Sequence, residues 1–332
     1  MALDGGGNIW LATGSRVVQL RAGGAYLQQL PVPSSSGSWS SGSDNTHFNS
    51  VTGVALDNAA GRMFVADGNN HRVQVYTFSA GAPVYSATIG VTGTSGNDNS
   101  HFNRPGRLAV DSSGRLYVVD SNNKRVQRCT LSGTWSCTPF GSGAGLSQPR
   151  GISLDSTNNV YLHDSDNGRV AKCAPDGSCS TLIGGSLSSN DLAVDSAGNI
   201  YAGGYGHGVI RKYSSTGAVL GDVIGTYDMA FIPDAAHIYS PWSLAVATNG
   251  SLYMAERWGY RFRKLDASGV EQWAIGRPGS WGSDNTFLNT LEGKPAIASD
   301  GRVYLPVTGN NRIQVYLLDG TYLATYLLPT SF

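Results

Sequence analysis

The residues best suited to chemistry gather in one stretch of the chain. Tyr205-Gly206-His207-Gly208 comes first, and the segment from Tyr227 to Trp242 then brings Asp234, His237, Tyr239 and Trp242. Arg257-Trp258-Gly259-Tyr260 follows, and after it Arg277 and Trp281. Aromatic rings beside His, Asp and Arg suit a sugar or another polar ring-shaped ligand, because the rings stack on its apolar face while the charges read its hydroxyls or carboxylate. The same set could move protons. His207 or His237 would act as shuttle with Tyr205, Tyr239 or Tyr260, and Arg257 or Arg277 would neutralise a substrate carboxylate. A third use needs no ligand: Phe231, Tyr239 and Trp242 fold the segment down as a small cap. The chain has no nucleophile-elbow sequence, phosphate-binding loop, HExxH or haem CxxCH.

What must position these residues is a repeat. The strings ALDGGGNIWLAT from Ala2, ALDNAAGRMFVAD from Ala55, AVDSSGRLYVVD from Ala109 and SLDSTNNVYLHD from Ser153 align with one another. So do AVDSAGNIYAGG from Ala193, AVATNGSLYMAE from Ala245 and AIASDGRVYLPV from Ala296. The positions Asp4, Asp57, Asp111, Asp155, Asp195, Ala247 and Ala298 are spaced by 53, 54, 44, 40, 52 and 51 residues. In each unit a strand ends at the Asp, a Gly-containing turn follows, and a β-rich run such as Arg62–Ala66 returns. The Asp side chains accept turn N–H groups. A third strand, as in Arg72–Tyr76, and a fourth complete a four-stranded unit. A lone sheet of this kind cannot bury both faces, so it stacks on copies of itself, and radial closure leaves few exposed edges. The expectation is an all-β fold, a single β-propeller domain over residues 1–332 with seven blades, six being the alternative. The first blade lacks most of its innermost strand, and the chain reads as a fragment or processed product of a larger protein.

The run Gly53-Val54-Ala55-Leu56-Asp57 to Gly61-Arg62-Met63-Phe64-Val65-Ala66-Asp67, continued by Gly68-Asn69-Asn70-His71-Arg72-Val73-Gln74-Val75-Tyr76, resembles the NHL repeat nearly letter for letter. Asp120-Ser121-Asn122-Asn123-Lys124-Arg125 is similar, and weaker copies cover nearly the whole chain. The resemblance implies propeller blades. For function it implies a broad range: protein or RNA scaffolds, extracellular modules and a few lyase-type enzymes.

A repeat separates residues that serve the blade from residues that serve a ligand. Asp67 with Arg72, Asp120 with Arg125 and Asp164 with Arg169 recur at an offset of five, with Glu256 and Arg261 as a variant. They read as carboxylate–guanidinium clips closing the loop between strands two and three, each worth roughly 0–1 kcal/mol if exposed. The linkers GSDNTHFN (42–49), GNDNSHFN (96–103) and GSDNTFLN (282–289) are copies of one motif. Phe48, Phe102 and Leu288 plug gaps between blades. The Asp-Asn pairs resemble an oxygen-ligand Ca2+ loop, yet each has few carboxylates, and turn capping is the preferred reading. His47, His101 and His71 belong to the same local chemistry. His163 replaces the small residues of other strand ends and reads as packed or hydrogen-bonded, with metal ligation as the weaker alternative. No cofactor is expected. The departures from the repeat fall in units five and six, where loops between strands two and three share one face with the inter-blade linkers.

Cys129 with Cys137 and Cys173 with Cys179 each flank a turn, so both pairs read as disulfides across a hairpin; neither spacing is a zinc knuckle. Disulfides imply an oxidising compartment: extracellular, cell-surface or periplasmic. Net charge is zero, with 23 basic and 23 acidic residues, which argues against nucleic acid as partner. No apolar run is long enough to insert in a membrane. The sequence therefore points to a noncatalytic extracellular recognition module for protein or glycan. The alternative is a polysaccharide lyase or hydrolase using the same face.

Overall fold

The computed structural model describes residues 1–21, 25–30, 41–79, 81–185, 187, 191–203, 208–225, 237–238, 241–247, 249–277, 279–280, 282, 284, 288–289, 291, 294–298, 300–310 and 312–327. They form seven four-stranded antiparallel sheets, each in simple sequence order, which settles the blade number at seven. Blade one runs through Ala2–Leu3, Ile9–Thr13, Arg16–Leu20 and Tyr26–Leu30, so its first strand is indeed a stub. Blade two comprises Val51–Asp57, Arg62–Asp67, Arg72–Ser79 and Ala82–Gly90. Blade three is Leu108–Val110, Leu116–Asp120, Arg125–Ser132 and Thr134–Phe140. Blade four is Pro149–Leu154, Val160–Asp164, Arg169–Cys173 and Cys179–Ile183. Leu192–Val194, Ile200–Gly203, Val209–Tyr213 and Val219–Gly225 make blade five. Pro241–Val246, Leu252–Glu256, Arg261–Leu265 and Glu271–Ile275 make blade six. Ala296–Ile297, Arg302–Val307, Arg312–Leu317 and Tyr322–Leu327 make blade seven. Among the described residues no helix is long and apolar enough to cross a membrane.

Two compact units share these blades. The first holds residues 1–154 with the Cys173–Cys179 loop, and the second holds Asp155–Lys172 and the chain from Ser180 onward. The residues of blade four are divided between them. Within each unit the core lies between successive blades. In the first, Trp10, Val17, Phe48, Met63 and Tyr76 form one cluster, and Phe64, Val73, Phe102 and Leu116 form the next. In the second, Tyr253, Phe262, Leu288, Leu291 and Leu305 form a third. Phe48, Phe102 and Leu288 are fully buried or nearly so and act as the expected inter-blade plugs. Second strands are apolar on both faces because a blade packs on either side, as in Leu116–Asp120, where every residue is buried.

The aligned Asp residues cap their turns. Asp155 accepts the N–H groups of Thr157 and Asn159, both at 2.9 Å, and Asp195 those of Ala197 and Asn199. In blades five and six the turn between strands three and four also packs tightly on the blade before. A side chain at Gly217 would fall 2.2 Å from the Leu182 carbonyl oxygen, and one at Gly269 would fall 2.3 Å from that of Val223. Both glycines have positive φ, 84° and 88°. Both disulfides are formed: Cys129 faces Cys137 directly across strands three and four of blade three, and Cys173 bonds Cys179. The second loop docks on blade three, where Arg128 donates to the Pro175 carbonyl at 2.8 Å.

The clips are built more deeply than an exposed surface pair. Asp67 is 0% and Arg72 1% exposed. Asp67 accepts from the Asn49 N–H at 2.6 Å, Asn70 at 2.8 Å and Arg72 Nε at 2.8 Å. Arg72 then spreads its other N–H groups over the carbonyls of Ser43, Asp44 and His47, at 2.8, 2.6 and 2.9 Å. Blade three repeats this: Arg125 holds the carbonyls of Asp98 and His101 at 2.8 Å. In blade seven Arg312 donates to the Asp284 carbonyl and Asn310 to that of Gly282. In blades two, three and seven, loops and linkers therefore share one end of the blade, and the Arg is the clamp that joins them.

Candidate functional site

At that end, blade six departs from blades two and three. In blade two the first strand carries an irregularity at Thr52, where Val51 pairs with Asp67 and Gly53 with Ala66. Thr52 packs beside Gly68, whose Cβ would lie 2.8 Å from Thr52 Cγ2. Blade three has the small pair Gly106 and Ser121 at these positions. Blade six has the same irregularity at Trp242, with Pro241 opposite Glu256 and Ser243 opposite Ala255. Its partner position is Arg257. A bulge re-aims its side chain, and here it turns an indole onto a guanidinium. Arg257 Cζ lies 4.3 Å from the Trp242 ring centroid and 4.9 Å from that of Trp258. Where blades two and three have two small residues, blade six has Trp242 and Arg257, and Trp258 stands where they have Asn69 and Asn122. Trp258 is 41% exposed, an unusual cost for the largest apolar side chain.

An ionic cluster beneath the loop fixes it. Glu256 is fully buried and receives Arg261 Nη2 at 2.9 Å, while Arg263 Nε pairs with it at 2.7 Å. Arg263 also pairs with Glu271 at 3.1 Å. The His237 carbonyl accepts from Arg261 at 2.5 Å and Arg263 at 2.8 Å, so this segment is clamped as the other linkers are. A side chain at position 259 would meet Glu256 Oε2 at 2.2 Å, which explains Gly259. Tyr260 closes the loop in the left-handed region, φ 54°, and its carbonyl abuts Gly276, so Arg277 begins its linker beside the same loop.

Of the residues singled out in the sequence, the structure thus brings together Trp242, Arg257 and Trp258, with Tyr260 closing their loop. His237 contributes its main-chain carbonyl. Arg277 bridges to Ser280. Tyr205, His207, Asp234, Tyr239 and Trp281 lie outside the described residues. Arg263 and Glu271 were not singled out. The signal for Arg263 was present, since Gln74, Gln127 and Gln314 occupy its position elsewhere. His163 is buried, with Nδ1 3.2 Å from the Ser165 hydroxyl. Among the described residues no three His, Cys, Asp or Glu side chains are grouped to hold a metal ion. Asp44 and Asp98 cap their own linkers: hydrogen bonds from Thr46 and His47 hold the Asp44 carboxyl well below the usual range, and those from His101 and Ser100 do so for Asp98.

Comparison with known proteins agrees with this architecture. Residues 48–76 and 102–129 match the NHL repeat, and residues 180–211 match a beta-propeller repeat. Among solved structures, the chain is similar to virginiamycin B lyase from Staphylococcus aureus, with TM-score 0.63, 12% identity and coverage of 84% of this chain and 85% of that one. It is also similar to a streptogramin B lyase, with TM-score 0.63, 14% identity and coverage of 84% and 83%. A functionally unknown protein from Desulfotomaculum acetoxidans matches with TM-score 0.63, 10% identity and coverage of 93% and 91%. At these identities the likeness is one of fold alone.

Proposed function

We propose that this chain is a recognition module that binds a glycan at the loop end of blade six, with Trp258 as the stacking platform. The observation that carries the reading is the Trp242–Arg257–Trp258 stack, at a place where blades two and three have small residues. An exposed indole held rigidly from behind gives a sugar ring an apolar face at little entropic cost. The two disulfides support an oxidising compartment, so the module works outside the cell, at its surface or in a periplasm. A lyase or hydrolase activity would draw on Tyr205, His207 and Tyr239, and nothing in the described geometry favours it over binding.

Titration of the protein with soluble oligosaccharides, followed by tryptophan fluorescence, tests the reading. Saturable binding is expected, and Trp258→Ala should weaken it about tenfold or more, equivalent to about 1.4 kcal/mol or more. Binding unchanged in Trp258→Ala, or no binding of any saccharide, overturns it and redirects the search to a protein partner.

A further inference from the structure

Among the described residues, six that are not glycine hold the left-handed backbone region. Five of them, Ser50, His71, Arg104, Lys124 and Tyr260, stand on the loops and linkers at one end of their blades. That region strains any residue with a Cβ, and the place of Lys124 is taken in blades four and five by Gly168 and Gly208, both at φ 57°. Lys124, at φ 55°, and Arg104, at φ 59°, thus keep long cationic side chains where the backbone favours none. Strain retained in this way marks positions that serve something other than the fold.

The two cations stand on neighbouring segments of the first compact unit. The Arg104 main-chain N–H donates to His71 Nδ1 at 3.1 Å, which ties the linker to the loop of blade two. That bond leaves the ring proton of neutral His71 on Nε2, as a further donor. On the other side, Asn103 accepts from Asn122 Nδ2 at 3.4 Å, and the loop of blade three closes with the Lys124 N–H on the Ser121 carbonyl at 2.9 Å. Arg104 and Lys124 are exposed, and neither side chain enters an ion pair. The carboxylates of these loops and linkers are engaged elsewhere. Asp67 and Asp120 are held by Arg72 and Arg125, and Asp44 and Asp98 by the Nδ1 atoms of His47 and His101, all at 2.8 Å. Residues 22–24, 31–40 and 80, which complete this stretch of chain, include no Asp or Glu.

We infer that Arg104 and Lys124 form a second ligand site, for a sulfated polysaccharide. The inference does not rest on Trp258. A guanidinium fork and an ammonium suit the tetrahedral oxyanion of a sulfate ester. They stand on successive segments instead of around one point, as a chain with a charge on each ring requires. The exposed amides of Asn69 and Asn122 offer partners for hydroxyls, and neither loop carries a Phe, Tyr or Trp to anchor a peptide.

The test measures binding of a sulfated dextran oligomer, the unsulfated oligomer of equal length and inorganic polyphosphate, with Arg21→Gly as the control. Arg21 is an exposed cation at the opposite end of blade one. The sulfated oligomer should bind at least about tenfold more tightly than the unsulfated one, and less tightly as salt rises. Lys124→Gly and Arg104→Gly should each weaken it about threefold or more, while Arg21→Gly changes it less than twofold, as marked by about 0.4 kcal/mol. Both site variants should also melt about 1–2 °C higher than the unaltered protein, because glycine relieves the strain. Equal binding of the two dextrans, or equal losses in all three variants, overturns the site. A lowered melting temperature in Lys124→Gly and Arg104→Gly also overturns it, since the side chains would then serve the fold. Tighter binding of polyphosphate than of sulfated dextran overturns the assignment to a sulfated polysaccharide.

Discussion

The Tyr253 hydroxyl is fully buried and has no hydrogen-bond partner among the described residues. Its counterparts are satisfied: six residues after the capping Asp, Tyr117 reaches Asp111 at 3.0 Å, Tyr161 reaches Asp155 at 3.0 Å and Tyr201 reaches Asp195 at 3.3 Å. In blade one Trp10 Nε1 does the same for Asp4 at 3.1 Å. Blade six has Ala247 where the Asp belongs, and the Ser251 N–H goes to Asn249 instead. Ala247→Asp should therefore stabilise the protein by about 1 kcal/mol, measured by urea denaturation. Tyr253→Phe should erase that gain in a double-mutant cycle, and a destabilised Ala247→Asp would contradict the account. The capping role of the Asp was legible from the turn residues. Its second role was not, because the hydroxyl comes from the next strand, although the aromatic at a constant offset of six stood in every aligned string but one.

Between elements, the clip spacing of five identified Asp67 with Arg72 correctly, yet the value of an exposed pair does not apply. Arg72 is buried and grips a linker through main-chain oxygens, which carry no side-chain signature and so leave no trace in a sequence. Arg72→Met should cost roughly 3–5 kcal/mol, because it strands a buried carboxylate and frees the linker. Arg211→Met on the exposed pair with Asp222 should cost about 0–1 kcal/mol. Equal losses in urea denaturation would mean that the clamp contributes no more than a surface ion pair. The same limit shaped the site. Arg257 and Trp258 were visible as breaks in the repeat, whereas the turning of Trp242 toward them depends on a bulge whose only sequence mark is Trp at the Thr52 position.

For the molecule as a whole, tyrosine burial couples the blades to alkaline pH. Burial pushes the Tyr117 and Tyr253 hydroxyls up to about 12, and burial raises Tyr76, Tyr161 and Tyr316 further. With folded values above the unfolded value near 10, their contribution to stability is complete below pH 10 and is lost as pH rises toward 12 and beyond. The melting temperature should hold up to about pH 10 and then fall steeply, with the phenolate absorbance of the buried tyrosines appearing together with the loss of β-sheet circular dichroism. Ionisation of the buried tyrosines near pH 10 in an intact fold would refute this. The seven-blade fold was legible because one pattern is written seven times; the insertion before Trp242 has no second copy to be read against. The clamps carry one last consequence. Arg72, Arg125 and Arg312 hold their linkers by carbonyl oxygens, and every amino acid supplies one. Linker side chains can drift over generations without loosening the anchor, so each blade offers evolution an independently editable surface.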